Sequence, residues 1–258
     1  MNLVFEKMRG TVVSLLIMTM ALSAFAQNEA PAKNSWGGKL SESNFHLGVD
    51  LQTKYIWRGM EMITQDAAPV LFPVINFSAR GFYAYVMGGY AINGKYSEVD
   101  LGLSYTYKWI TVGVNDYYYP TTTIPEDQYF HFKAKETGHW LEAFITIAPE
   151  KIPVYLTVSN FFAGADKNLD GEQAYSTYAE LGAHYDFLND HQIALSAGVA
   201  FNKSCYNGYA RDAGVCNVEL KYTYNLALKN FVLPLGVSYI VNPVFDKAHV
   251  NLKVSFAF

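Results

Sequence analysis

Four carboxylates and four basic side chains are spaced so that they could set up an electric field across a lumen. Asp100, Glu142, Glu180 and Glu219 each sit a few residues before or after a long polar connection, on alternate segments of the chain. Lys54, Arg58, His249 and Lys253 lie in the first and last segments, which must meet if the segments close into a ring. Acids then cover one arc of the interior and bases another, with Asp50 and Lys221 on the same inward rows. A transverse field of this kind acts on the dipoles and charges of passing solutes. A second reading is also open. Buried charges must pair, and Lys221 stands beside Glu219, so the same residues could form a salt-bridged interior. Lumen size does not decide between them, because twelve strands lie between the filled interior of about eight and the channel of about sixteen.

Other chemistries are weaker. Asp166-Lys-Asn168-Leu-Asp170-Gly171 matches the first half of a calcium loop, in which hard oxygen ligands alternate and glycine permits the turn. The closing position should be Glu and is Thr177, so an Asp/Asn/Gly-rich hairpin turn accounts for it better. A lipid-modifying barrel enzyme needs an outward Ser–His pair near the external rim. His139 is outward there, but Ser159 on the next segment falls inward, and His46, His184 and His249 are inward as well. Cys205 and Cys216 have no nearby His and make no zinc site. Both read as outward near one loop, as a disulfide across a hairpin neck or as two unpaired thiols. No cofactor motif is present in the sequence.

These residues must be positioned by strands. Ala248 to Phe258 alternates without a break, apolar on one parity and polar or small on the other. Successive strand side chains point to opposite faces, so the segment has one oily and one wet face. Reading by period two gives twelve segments, at 44–58, 69–79, 81–92, 96–107, 109–118, 138–148, 152–162, 173–187, 191–202, 214–225, 229–241 and 247–258. In the first, Phe45, Leu47, Val49, Leu51, Tyr55 and Trp57 are placed outward, and His46, Asp50, Gln52, Lys54 and Arg58 inward. Segments 81–92 and 229–241 alternate poorly, and Pro73, Pro153 and Pro234 mark bulges or rims. The connections alternate between tight turns and mostly longer loops, as in barrels with short periplasmic turns and long external loops. The longest, 120–137, reads first as a solvated loop with an aromatic belt at its base, Tyr117 to Tyr119, and second as a loop that folds inward over the lumen or contacts external polysaccharide.

Bulk properties agree. After residue 26 no uncharged apolar run approaches the ~18 residues of a membrane helix, yet the chain is 51% hydrophobic and holds 20 Tyr and 17 Phe. That fits a barrel with aromatic girdles. Residues 1–26 read as a signal peptide, with Lys7 and Arg9, the apolar stretch Thr11 to Leu22, and Ala24-Phe25-Ala26 at the cut. Removing them leaves 17 basic against 22 acidic residues, a formal charge of −5, which argues against nucleic acid as a partner. Residues 27–43 read as a flexible periplasmic tail.

Tyr55-Ile-Trp57-Arg58-Gly59, with Tyr175-Ser-Thr177-Tyr178-Ala-Glu180 and Val215-Cys216-Asn217, resembles segments of an uncharacterised family of outer-membrane barrels, the Gcw_chp-like proteins. The resemblance implies a barrel in a Gram-negative outer membrane with no established substrate. Arg58 would end the inward row at the external rim, paired with a lumen carboxylate, and Gly59 would permit the turn beyond it.

The sequence therefore predicts a closed antiparallel transmembrane β-barrel over 44–258. The leading function is a small passive channel for polar solutes. The rival is a closed structural or surface-interaction barrel with a salt-bridged lumen, and the third reading is a lipid-modifying enzyme. Expected partners are outer-membrane lipid and lipopolysaccharide, with the barrel-assembly machinery engaged through the last strand and Phe258.

Overall fold

The computed structural model describes residues 44–120, 128–133 and 136–257. The signal peptide, the tail to residue 43, and Phe258 lie outside the described residues. Fourteen strands are formed among them: β1 (Asn44–Gln52), β2 (Ile56–Trp57), β3 (Met60–Glu61), β4 (Val70–Ala79), β5 (Phe82–Ala91), β6 (Ser97–Tyr107), β7 (Ile110–Tyr118), β8 (His139–Ile147), β9 (Val154–Gly164), β10 (Thr177–Phe187), β11 (His191–Ala200), β12 (Gly214–Ala227), β13 (Val232–Asn242) and β14 (Lys247–Ala257). Twelve of them form a closed antiparallel barrel, each beside its chain neighbour, with β1 bonded to both β14 and β4. The remaining two, β2 and β3, make a small hairpin of their own.

The strands follow from the alternation. Outward residues such as Leu47, Ile75, Val86, Leu103, Val112, Leu156, Leu181, Leu195, Leu220 and Val250 are exposed around the whole circumference. A continuous apolar belt of this kind suits lipid rather than water. Inward residues carry the polar groups. At the turn end the connections are tight. Arg80 and Gly81 both adopt left-handed backbone, φ 50 and 86, the conformation that suits a two-residue hairpin. The other end, the loop end, carries the connections 53–69, 92–96, 119–138, 165–176, 201–213 and 243–246, four of which are longer than any turn-end connection.

Two expectations are corrected. First, β1 stops at Gln52 and does not run on to Arg58. Asn251 on β14 accepts hydrogen bonds from Thr53 Oγ1 and the Lys54 amide, both 3.0 Å, and these hold the chain as it leaves the wall. Lys54 and Arg58 therefore belong to the first loop. Tyr55 and Trp57, expected outward, are buried inside the barrel. Second, Cys216 is not outward. The β11–β12 register shifts between Gly198 and Val199, so Cys216 is the extra residue of a bulge and is fully buried. The prolines fall as expected, at an irregularity or at the turn-end rim. Pro73 falls where the β4–β5 pairing lapses, between Leu71↔Tyr90 and Val74↔Met87. Pro153 lies just outside β9, and Pro234 is inside β13 near the turn end.

The interior is not uniformly polar. Toward the loop end the inward residues Val70, Phe72, Val74, Met87, Tyr117, Phe161 and Tyr178 form an apolar core. It is completed from the loops by Tyr55, Trp57, Ile63, Tyr206 and Val244. Lower down, several aromatic rings lie flat along the wall over a glycine on the neighbouring strand: Tyr85 over Gly102, Phe144 over Gly113 and Tyr155 over Gly182. The turn end is more open, with the inward His184 and Asp186 side chains 39% and 47% exposed.

Candidate functional site

The candidate site lies where the first loop enters the lumen. Its tip is the β2–β3 hairpin, with Trp57 opposite Met60 and the turn at Arg58 and Gly59. Arg58 has φ 49 and Gly59 φ 78. A left-handed arginine costs roughly 1–2 kcal/mol, so strong contacts must hold it there.

Those contacts converge on Glu142 of β8. Arg58 Nη1 donates to Glu142 Oε1 at 2.6 Å and Nη2 to Oε2 at 3.2 Å, a two-pronged ion pair. The two side chains are 1% and 0% exposed. Tyr117 Oη donates to Glu142 Oε2 at 2.9 Å, and Asn115 Nδ2 reaches the same oxygen at 3.3 Å. The guanidinium carbon also lies 4.5 Å from the Trp57 ring centre, 4.6 Å from that of Tyr178 and 5.4 Å from that of Tyr206. Arg58 Nη1 donates to the Tyr206 hydroxyl as well. A cation stripped of water is thus met by a carboxylate and by aromatic faces.

The hairpin is anchored elsewhere too. Asn242 Nδ2 donates to the Gly59 carbonyl at 3.0 Å, and Tyr55 Oη donates to Glu98 at 3.0 Å. Tyr206 comes from the fifth loop, on a short 3-10 turn at Cys205–Asn207. That turn is tied to the fourth loop, since the Cys205 amide donates to Ser176 Oγ at 3.0 Å. Asp166 accepts from the Ser176 amide and hydroxyl and from Tyr209 Oη. The calcium-like segment is thereby explained. The Asp166 carboxylate is saturated by protein donors, and Asn168 Oδ1 caps the amides of Asp170 and Glu172. Among the described residues no group of three or more His, Cys, Asp or Glu is arranged to hold a metal.

The other lumen charges take separate places. Asp100, Glu142, Glu180 and Glu219 are all inward and buried, on β6, β8, β10 and β12. Glu180 accepts from Tyr155 Oη at 2.7 Å, from Tyr178 Oη, and from Asn217 Nδ2 at 3.2 Å. Glu98, not singled out by the sequence, sits two residues before Asp100 and accepts from Tyr55 and Tyr96. Asp100 is 1% exposed and lies in side-chain hydrogen-bond contact with Glu98. Lys253 Nζ lies 3.4 Å from Asp50, and Lys54 Nζ 3.0 Å from Glu61 within the first loop. Lys221 and His249 are inward and buried. The two predicted arcs are therefore bridged: Arg58 crosses the lumen to the acidic side.

The sequence reading missed Tyr117, Asn115, Tyr178, Tyr206 and Glu98. Inward parity with Glu142 or Glu180 was the available signal for the strand residues. Tyr206 had none, being a loop residue.

Cys205 and Cys216 are free thiols, which corrects the disulfide alternative. Cys205 is on the 3-10 turn inside the barrel mouth and Cys216 on the β12 bulge, and burial pushes the Cys205 thiol up, with the Asp166 charge adding to it. On the outer wall, His139 Nδ1 lies 2.8 Å from both Asp116 oxygens, and its Nε2 faces the Tyr129 carbonyl at 2.6 Å. A carbonyl only accepts, so Nε2 carries a proton and is not a free base. Tyr118 stacks on the ring and Phe132 lies over it. Ser159 is inward, as its parity predicts.

No family profile matches the chain, and no curated protein matches it. Among solved structures it is similar to the KdgM porin, with 10% identity and a TM-score of 0.46 over 83% of this chain and 98% of that one. It is similar to the KdgM porin in complex with disordered oligogalacturonate, with 11% identity and a TM-score of 0.46 over 83% and 97%. It is also similar to OccAB3 of Acinetobacter baumannii, with 11% identity and a TM-score of 0.40 over 85% of this chain and 66% of that one.

Proposed function

We propose that the protein is a small passive channel for polar solutes in a Gram-negative outer membrane, stoppered at its loop end by its own first loop. The observation that carries this reading is the contrast between the two ends of one lumen. The turn end keeps charged inward groups in water, whereas at the loop end an inserted hairpin completes an apolar core with wall residues and with Tyr206 and Val244 of other loops. A wall-built plug would be permanent. A hairpin seated by Arg58, Gly59 and Tyr55 can leave as a unit. Outer-membrane lipid and lipopolysaccharide would surround the apolar belt, and the barrel-assembly machinery would receive the last strand. Membership of the Gcw_chp-like family belongs to the same reading, since its signature Tyr55-Ile-Trp57-Arg58-Gly59 is the stopper itself.

The second reading, a permanently closed structural or surface-interaction barrel, is favoured by the full burial of the Arg58–Glu142 pair. Planar-bilayer recording separates the two. The channel reading expects rare openings of the refolded wild type, frequent openings once the hairpin is unseated, and altered ion selectivity in a Glu142→Gln/Glu180→Gln double variant. Silence of every folded, inserted variant overturns it.

A further inference from the structure

The Arg58 guanidinium fills a binding site that the barrel wall builds without it. Of the described groups named around that guanidinium, Trp57 belongs to the first loop. Glu142, Tyr117, Asn115 and Tyr178 are on β7, β8 and β10, and Tyr206 is on the fifth loop, held by its own bonds to the fourth. If the hairpin leaves, these remain: a carboxylate oriented by two donors, with two ring faces beside it.

We propose that this pocket is a receptor for organic cations bearing a guanidinium head group, and that Arg58 is the chain's own surrogate for that ligand. The inference rests on the channel reading, since the hairpin must be able to leave. Three observations support it. The Glu142 oxygens are set apart to match two N–H groups of one planar cation, at 2.6 and 3.2 Å. The guanidinium carbon lies over the rings of Tyr178 and Tyr206, 4.6 and 5.4 Å from their centres. Finally, Glu142 without a cation is a buried carboxylate lacking its counter-charge, a strongly unfavourable state. An arriving guanidinium relieves that state, whereas a neutral sugar does not. The surrounding field has the same sign. The wall carries Asp50, Glu98, Asp100, Glu142, Glu180 and Glu219 inward, against Lys221 and Lys253. Such a lumen concentrates cations.

Chemical rescue tests the site without requiring conduction. The purified, refolded Arg58→Ala protein is melted in millimolar methylguanidinium chloride and, separately, in potassium chloride of the same ionic strength. The expected result is a lowered melting point that methylguanidinium raises saturably and potassium does not, with no such effect on wild type. In Arg58→Ala/Glu142→Gln the half-saturating concentration rises by about tenfold or more. Equal melting in the two salts overturns the proposal. If Arg58→Ala does not fold, Gly59→Ala replaces it, and the reading is block of its current by methylguanidinium. Block that survives Glu142→Gln, or no block, also overturns the receptor. The two readings fail separately. Saturable rescue with a silent bilayer leaves a receptor without a channel. Openings without rescue or block leave a channel without the receptor.

Discussion

Gly59 sits with its backbone against the carbonyl of Cys216, so close that a methyl group on Gly59 would lie 2.0 Å from that oxygen. The obstacle is backbone, at the bulge of β12, and cannot swing aside as a side chain can. Gly59 also has φ 78, a conformation in which other residues are strained. Gly59→Ala therefore unseats the hairpin tip, Arg58 with it, while leaving both charged residues in the sequence. Expected is a barrel that still folds, melts lower by about 2–4 kcal/mol of stability, and opens far more often in a planar bilayer. Unchanged heat stability and an unchanged record would show that the tip does not seat as described.

Glu142→Gln keeps the shape of the side chain and removes the partner of a fully buried arginine. Breaking one half of a buried pair is expected to cost about 3–5 kcal/mol. Glu180→Gln is the comparison, because Glu180 is held by Tyr155, Tyr178 and Asn217, all neutral donors. It should lose less. The check is the temperature at which each refolded variant ceases to run as a folded species on a gel. Equal losses would mean that the ion pair adds nothing beyond hydrogen bonding.

Asp100 makes the opposite prediction. It is buried beside Glu98 on the same face of β6, in side-chain hydrogen-bond contact with it. Two like groups out of water destabilise each other. Asp100→Asn removes one of them and supplies an amide that can donate to Glu98. An increase in heat stability of about 1–3 kcal/mol is expected, measured by the same melting assay. A decrease would point to a cation or donor shared by the two acids in the folded protein.

The barrel was legible in the sequence because lipid imposes a strict period of two on every strand, and Ala248 to Phe258 shows it unbroken. The inward acids Asp100, Glu142, Glu180 and Glu219 followed from the same parity. The plug was not legible, and the reason is physical. Tyr55 and Trp57 continue the apolar parity of β1, and an aromatic residue buried in a lumen core reads like one facing lipid. Only the geometry at Thr53, turned inward by Asn251, separates the two. Val70, Phe72 and Val74 of β4 face the same plug, and a lumen filled that way makes both faces of that strand apolar. Cys216 was misplaced because a bulge shifts parity by one residue and leaves no mark in composition.

The last prediction asks why a buried ion pair stands where an apolar contact would close the mouth equally well. Replacing such a pair by apolar residues of similar volume is often neutral or stabilising by about 1–4 kcal/mol. The surroundings of Arg58 and Glu142 suit that exchange, since Trp57, Tyr117, Phe161 and Tyr178 already line the site. Arg58→Met/Glu142→Leu should therefore keep or raise the melting point of wild type, where each single variant lowers it. The same double variant should open less often than wild type and, unlike Arg58→Ala, show no response to methylguanidinium. If stability holds while these responses vanish, the charges serve release and exchange of the plug rather than the fold. If the double variant melts as low as Glu142→Gln, the donors left at Asn115 and Tyr117 need a carboxylate to complete the wall, and the pair is part of the barrel's own architecture.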